Sequence, residues 1–177
     1  MPLERREQQE QKRIEETSAE LRIRESSSTK LVRIAELAAK RPRIKMNNLA
    51  YLLNEEFLRE CHESLSGKKA VGIDEITKEE YGRNLNENLK NLIERMKRQA
   101  YKPQPAKIVE IPKENGKIRK LGIACYEDKI VQLALYKIIN AIYSNEFSNC
   151  SYGFREGLSC HDALKAVNDK IMKQPIN

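Results

Sequence analysis

"AKIVEIPKENGKIRKLGI", residues 106–123, is the stretch on which the fold turns. Two runs, AKIVEI (106–111) and KIRKLGI (117–123), mix apolar and charged residues at strand spacing and flank a turn containing Asn115-Gly116. Such a pattern predicts a β-hairpin. Loop length then decides the register. With a two-residue loop, Glu114 opposes Lys117, Ile111 opposes Lys120 and Glu110 opposes Leu121, and no face is cleanly apolar. With a loop of Glu114, Asn115 and Gly116, the glycine takes the left-handed position of a bulge. Val109 then opposes Leu121, Ile111 opposes Arg119, and Glu110 meets Lys120 on the reverse face as a favourable ion pair. The three-residue loop is the register expected here.

It places Lys113, Lys117 and Arg119 on one face, beyond the apolar patch of Val109, Ile111, Leu121 and Ile123. Lys113 and Lys117 face each other as like charges. That costs roughly a few tenths of a kcal/mol unless an anion lies between them. Arginine offers a planar fork for phosphate oxygens and lysine a point charge, so a phosphate chain suits the face. The alternative is an exposed edge hairpin that its lysines protect from aggregation.

The charge distribution points the same way. The 177 residues carry a formal net charge of +7. Residues 1–25 are nearly neutral, with six basic and seven acidic side chains. Lys97–Lys120 holds eight basic residues against Glu110 and Glu114, a local excess of +6. Concentrated positive charge selects a polyanionic partner, nucleic acid or nucleotide, over a neutral one. Length and a 40% apolar share fit one domain, or a core domain with an extension.

Cys61, Cys125, Cys150 and Cys160 lack C-x-x-C spacing and no signal peptide precedes them, which suits reduced thiols and a cytoplasmic location. Cys61-His62 and Cys160-His161 do not make a zinc site, because neighbours on a helix point about 100° apart. No apolar run approaches the ~20 residues of a membrane span.

Helices are expected around the hairpin. Residues 3–25 read as a charged helix with few apolar positions, followed by a hinge or cap at 26–29 and a short helix at 30–42. Residues 47–67 read as a turn and a helix ending at Gly67. Thr77–Tyr101 reads as one helix, opened by a Thr77–Glu80 capping box and ended by Pro103 and Pro105, with Tyr81, Leu85, Leu89, Leu92, Ile93 and Met96 in one stripe. A helix at 127–143 turns Ile130, Val131, Ala134, Leu135, Ile138, Ile139 and Ile142 inward. The last starts at Ser159, capped toward Asp162, with Leu164, Val167 and Ile171 inside.

Four blocks occur in order: KKAVGIDEITKEEY (68–81), YKPQPAKIVEIPKENGKIRKLGI (101–123), YEDKIVQLAL (126–135) and CSYGFREGLSCHDAL (150–164). Together they closely resemble the N-terminal blocks of group II intron-encoded reverse transcriptases, or maturases, across most of residues 49–172. The resemblance implies an α+β fold: a helical N-terminal part plus the β-hairpin fingers of a right-hand polymerase, with the palm incomplete. It implies a helical extension at 1–42, fingers at 43–150, and a fingers-to-palm segment at 151–177. In that family the hairpin closes over the incoming nucleotide, so Lys113 and Arg119 become triphosphate contacts. Lys117, Lys107, Lys45 and Arg155 become nucleic-acid contacts. Lys45 belongs to KMNNLAYLLN (45–54), which is similar to the family's template lid, and Arg155 to the segment along template and primer.

Departures from the pattern are local. Glu75 stands where the family has Gly, Lys120 and Ala124 where it has Pro, and Glu156 and Leu158 where it has Pro and Arg. Acid gained and base lost near template phosphates weaken binding there. Asp74, Asp128, Asp162 and Asp169 are the only aspartates, and none sits in a metal-binding motif. Two-metal polymerisation needs clustered carboxylates. The expectation is therefore a chain with no catalytic or metal residues of its own. It binds intron or template RNA and dNTP, and does not polymerise alone. Mg2+ enters only with the missing palm, and the remainder of the polymerase or a second copy is the protein partner. The alternative is a stand-alone RNA-binding module that has lost polymerase chemistry.

Overall fold

The computed structural model describes residues 27–41, 46, 48–155 and 157–173. Its elements are α1 (Ser27–Lys40), a 3-10 turn (Leu49–Leu52), α2 (Glu55–Ser64), α3 (Lys78–Arg83), α4 (Leu85–Lys97), β1 (Lys107–Pro112), β2 (Ile118–Ile123), α5 (Tyr126–Tyr143) and α6 (Cys160–Lys173). The charged N-terminal stretch and Lys45 lie outside the described residues.

Helix α5 is the organising element. Helices α1, α2 and α3 pack on it, and α4 packs on α2 and α3. Phe57, Leu58 and Cys61 of α2 meet Leu89 and Leu92 of α4 and Ile130 and Ala134 of α5 in the buried centre. Local chemistry fixes the helix ends. The Asn54 side chain accepts from the Phe57 amide at 2.9 Å to start α2. Helix α2 ends at Ser64, short of Gly67, where Leu65 turns extended (φ −72°, ψ 135°), and Lys78 Nζ satisfies the carbonyls left there, Glu63 at 3.0 Å and Leu65 at 2.5 Å. The Thr77–Glu80 capping box forms as expected.

Three helical expectations need correction. The 77–101 stretch is two helices with a break at Asn84, whose φ is −119°. Gly82 and Asn84 are weak helix formers, and Asn88 Nδ2 donates to the Tyr81 carbonyl at 2.9 Å, satisfying a group the break frees. The apolar stripe continues across the break, so periodicity does not reveal it. The second helix ends before the prolines. Gln99 turns left-handed at φ 56°, and the Arg95 carbonyl accepts from Ala100 at 2.8 Å.

On α5, Leu135 and Ile139 are exposed, because the packed helices cover only one flank of it. On α6 the expected inner stripe is open: Leu164 is 67%, Val167 56% and Ile171 53% exposed. Ser159 and Asp162 do cap this helix reciprocally (2.8 and 3.3 Å), so it forms locally. No described element packs closely on its apolar face.

The hairpin has the expected register. Val109 pairs with Leu121, Glu110 with Lys120 and Ile111 with Arg119. The Lys113 amide donates to the Lys117 carbonyl at 2.7 Å, and Gly116 sits at φ 74°. Among the described residues no helix covers either face: Ile108 and Ile118 are about 60% exposed, and the two strands pack chiefly on each other.

Candidate nucleic-acid interface

Strand alternation puts Lys107, Val109 and Ile111 of β1 on one face with Arg119, Leu121 and Ile123 of β2, and Lys113 and Lys117, just past the strand ends, continue it. Among the described residues Lys113, Lys117 and Arg119 have no carboxylate partner, and all three are exposed. Lys120 is different. Its ammonium lies 3.9 Å from Glu110 on the reverse face. The tip therefore carries three free cations above an accessible apolar strip, an arrangement able to bind phosphate oxygens and contact an apolar surface together.

The other predicted contacts lie elsewhere. Lys107 is at the root of the hairpin, about 20 Å from Lys113 at strand rise, and is paired with Glu75 at 3.8 Å. Glu75 holds a left-handed φ of 57°, which explains why glycine suits this place in the family pattern. Arg155 donates to the Ser144 carbonyl at 3.3 Å and stacks over the Phe147 ring at 5.3 Å. It caps the far end of α5, whereas the hairpin joins the near end. Eighteen helical residues separate the two, roughly 27 Å. The structure thus groups Lys113, Lys117 and Arg119 and leaves Lys107 and Arg155 apart from them.

Sequence reasoning missed the residues that root the hairpin. The first turn of α5 carries Glu127 and Asp128. Glu127 accepts from the Tyr81 hydroxyl at 3.2 Å and from Arg95 Nη2 at 2.6 Å, which ties α3 and α4 to α5. This carboxylate and burial push the Tyr81 phenol well above its ordinary range, with burial the larger cause. Asp128 is buried, 3% exposed, and accepts from the Tyr101 hydroxyl and from the Gln104 backbone amide at 2.9 Å. Burial, then that bond, raises the Tyr101 phenol. Beside them Gly72 lies against the backbone of Ala124 and Cys125, where a Cβ would stand 2.5 Å from Cys125 Cα. The Tyr126 hydroxyl and His62 Nδ1 share a buried hydrogen bond of 2.9 Å. Burial raises Tyr126 to about 12 and lowers His62, the latter helped by Lys78. An acidic pair opening a helix was the available signal for Glu127 and Asp128, but nothing local in the sequence names their partners.

The aspartates do not assemble a metal site. Asp128 is committed to Tyr101 and Gln104, Asp162 to Ser159, and Asp74 accepts from the Ile76 amide at 3.4 Å. Among the described residues no three His, Cys, Asp or Glu side chains come together as metal ligands.

No family model matches the chain. It is 34% identical over 139 residues to Protein YkfC of Escherichia coli (strain K12), covering 76% of this chain and 36% of that protein. It is 34% identical over 118 residues to the group II intron-encoded protein LtrA of Lactococcus lactis subsp. cremoris, covering 66% of this chain and 20% of LtrA. A stretch of 64 residues is 42% identical to the putative COX1/OXI3 intron 2 protein of Saccharomyces cerevisiae, 36% of this chain and 8% of that protein. The chain thus spans about a third or less of the length of these relatives. Over that part of their length, the chain is related to the group II intron-encoded proteins.

Proposed function

We propose that the chain is the fingers and partial-palm portion of a group II intron RNA-directed DNA polymerase. It binds intron or template RNA and the triphosphate of an incoming dNTP, and does not polymerise alone. One observation carries this reading: Lys113, Lys117 and Arg119, without a carboxylate partner among the described residues, stand together on an exposed hairpin face. Lys113 and Arg119 grip the triphosphate, and Lys117 meets nucleic-acid backbone. Lys107 and Lys45 are secondary backbone contacts, and Lys107 must first leave Glu75. Arg155 contributes from the other end of α5. Magnesium belongs to carboxylates that these residues do not supply. The exposed apolar faces of α5 and α6 are suited to the remainder of the polymerase as protein partner, and the assembly works in the cytoplasm.

Fluorescence anisotropy with a labelled single-stranded RNA tests this. Affinity should fall steeply as salt rises, since each phosphate contact releases counterions. Arg119→Ala should weaken binding several-fold while leaving the thermal midpoint in place, and dATP should compete at the same face. A salt-independent interaction, or binding unchanged in Arg119→Ala, would sink the proposal. RNA binding without competition by dATP would instead select the RNA-binding module without polymerase function.

A further inference from the structure

Among the described residues the hairpin is anchored at its root, and its two main anchors refer to the first turn of α5. Strand β2 runs from Ile123 through Ala124 into Cys125, the residue that precedes α5, so this leg is fixed by chain continuity. Cys125 is buried, 1% exposed, and Gly72 closes on its backbone. Strand β1 has no such continuity. Nine residues, 98–106, separate it from α4. Pro103 and Pro105 stiffen this connection but do not attach it to anything. Asp128 makes the attachment, one oxygen to the Tyr101 hydroxyl and the other to the Gln104 amide. Besides the ladder to β2 and the Tyr101 amide's bond to the Arg95 carbonyl at 3.2 Å, this leg has the pair of Lys107 with Glu75, which is long and solvent-exposed, and such pairs contribute little.

We infer that Asp128 is the positioning residue of the basic hairpin: by holding Tyr101 and the Gln104 amide, it fixes the direction in which Lys113, Lys117 and Arg119 are presented. This rests on the reading of the hairpin face as a phosphate site. Asp128 touches no phosphate itself. Both of its carboxylate oxygens accept hydrogen bonds, and an asparagine side chain has only one oxygen to offer in their place. Its NH2 group could still donate to the Tyr101 hydroxyl, which accepts as well as donates, so alanine, which removes both acceptors, is the informative change.

The test uses the full chain with spin labels at Glu114→Cys and Gln132→Cys, in a background where the exposed Cys150 and Cys160 are replaced by serine. Pulsed electron resonance reads the distance from the hairpin tip to α5, and calorimetry reads the affinity for inorganic tripolyphosphate. Asp128→Ala should broaden the distance distribution and weaken tripolyphosphate at least fivefold at a temperature where circular dichroism shows it folded. Tyr101→Phe should do the same to a smaller degree, and it serves alone if Asp128→Ala does not fold. Arg119→Ala should lose affinity with an unchanged distance distribution. A narrow, wild-type distribution in Asp128→Ala, or in Tyr101→Phe if only that variant folds, overturns the inference whatever the affinity. If the parent chain or Arg119→Ala shows that the face does not hold tripolyphosphate, the phosphate reading fails, and the distances still decide whether Asp128 orients the hairpin.

Discussion

Glu75 and Lys107 face each other across the root of the hairpin, 3.8 Å apart, and Glu75 makes this contact from a left-handed backbone with φ 57°. The conformation costs a non-glycine residue about 1–2 kcal/mol. The exposed ion pair returns less than that. Glycine's greater freedom in the unfolded chain offsets part of the gain, so Glu75→Gly should raise stability by less than about 1 kcal/mol in chemical denaturation. It also frees Lys107, so RNA affinity at low salt should rise. A destabilised Glu75→Gly variant would show that the ion pair is the stronger term.

Gly72 allows close packing instead of an unusual backbone angle. A Cβ there would lie 2.5 Å from Cys125 Cα and 2.7 Å from its nitrogen, both rigid backbone atoms. Gly72→Ala should cost about 2 kcal/mol or more, because the two segments must separate. Thermal denaturation checks this. Gly116→Ala is the contrast: the position is open, with φ 74°, so its cost should be only about 1 kcal/mol and local to the hairpin.

Lys113 and Lys117 are opposed across the last pair of the hairpin. Removing one charge should tighten the free hairpin. In Lys113→Ala, exchange of the residue 113 amide, bonded to the Lys117 carbonyl, should slow at low ionic strength. The difference from the parent should shrink by 1 M salt, where the Debye length is about 3 Å. Faster exchange in the variant would contradict the register-based argument.

His62 gives a pH dependence of definite sign. Burial holds its pKa below the ordinary value, so the unfolded chain takes up a proton that the folded chain resists. This contribution is intact above about pH 6.5 and is lost as pH falls from there through the lowered folded pKa. Unfolding free energy should decline between pH 7.5 and 5.5, above the range where carboxylates titrate. The decline should flatten in His62→Gln, which can still bond the Tyr126 hydroxyl. An equal slope in both proteins would assign the effect elsewhere.

The hairpin register was legible because cross-strand pairing has a two-residue period and the alternatives differ in which charges meet. The break at Asn84 was hidden, because an apolar stripe through Tyr81, Leu85 and Leu89 serves two short helices as well as one long one. The stripe of Leu164, Val167 and Ile171 correctly marked an amphipathic helix. Amphipathicity tells which face wants covering and is silent on whether something covers it. In the candidate site, the shared face of Lys113, Lys117 and Arg119 followed from register alone. Asp128 was invisible because its partners lie 24 and 27 residues away and meet it only in three dimensions.

An arm held at one end magnifies small errors of angle. The hairpin extends about 20 Å from its root to Lys113. A tilt of ten degrees at Gln104 would carry the tip sideways by about 3.5 Å, more than the length of a hydrogen bond. A conservative change among apolar or uncharged residues at the root could thus cost as much affinity as deleting a lysine at the tip. Surveys of substitutions that look only for lost positive charge would overlook it.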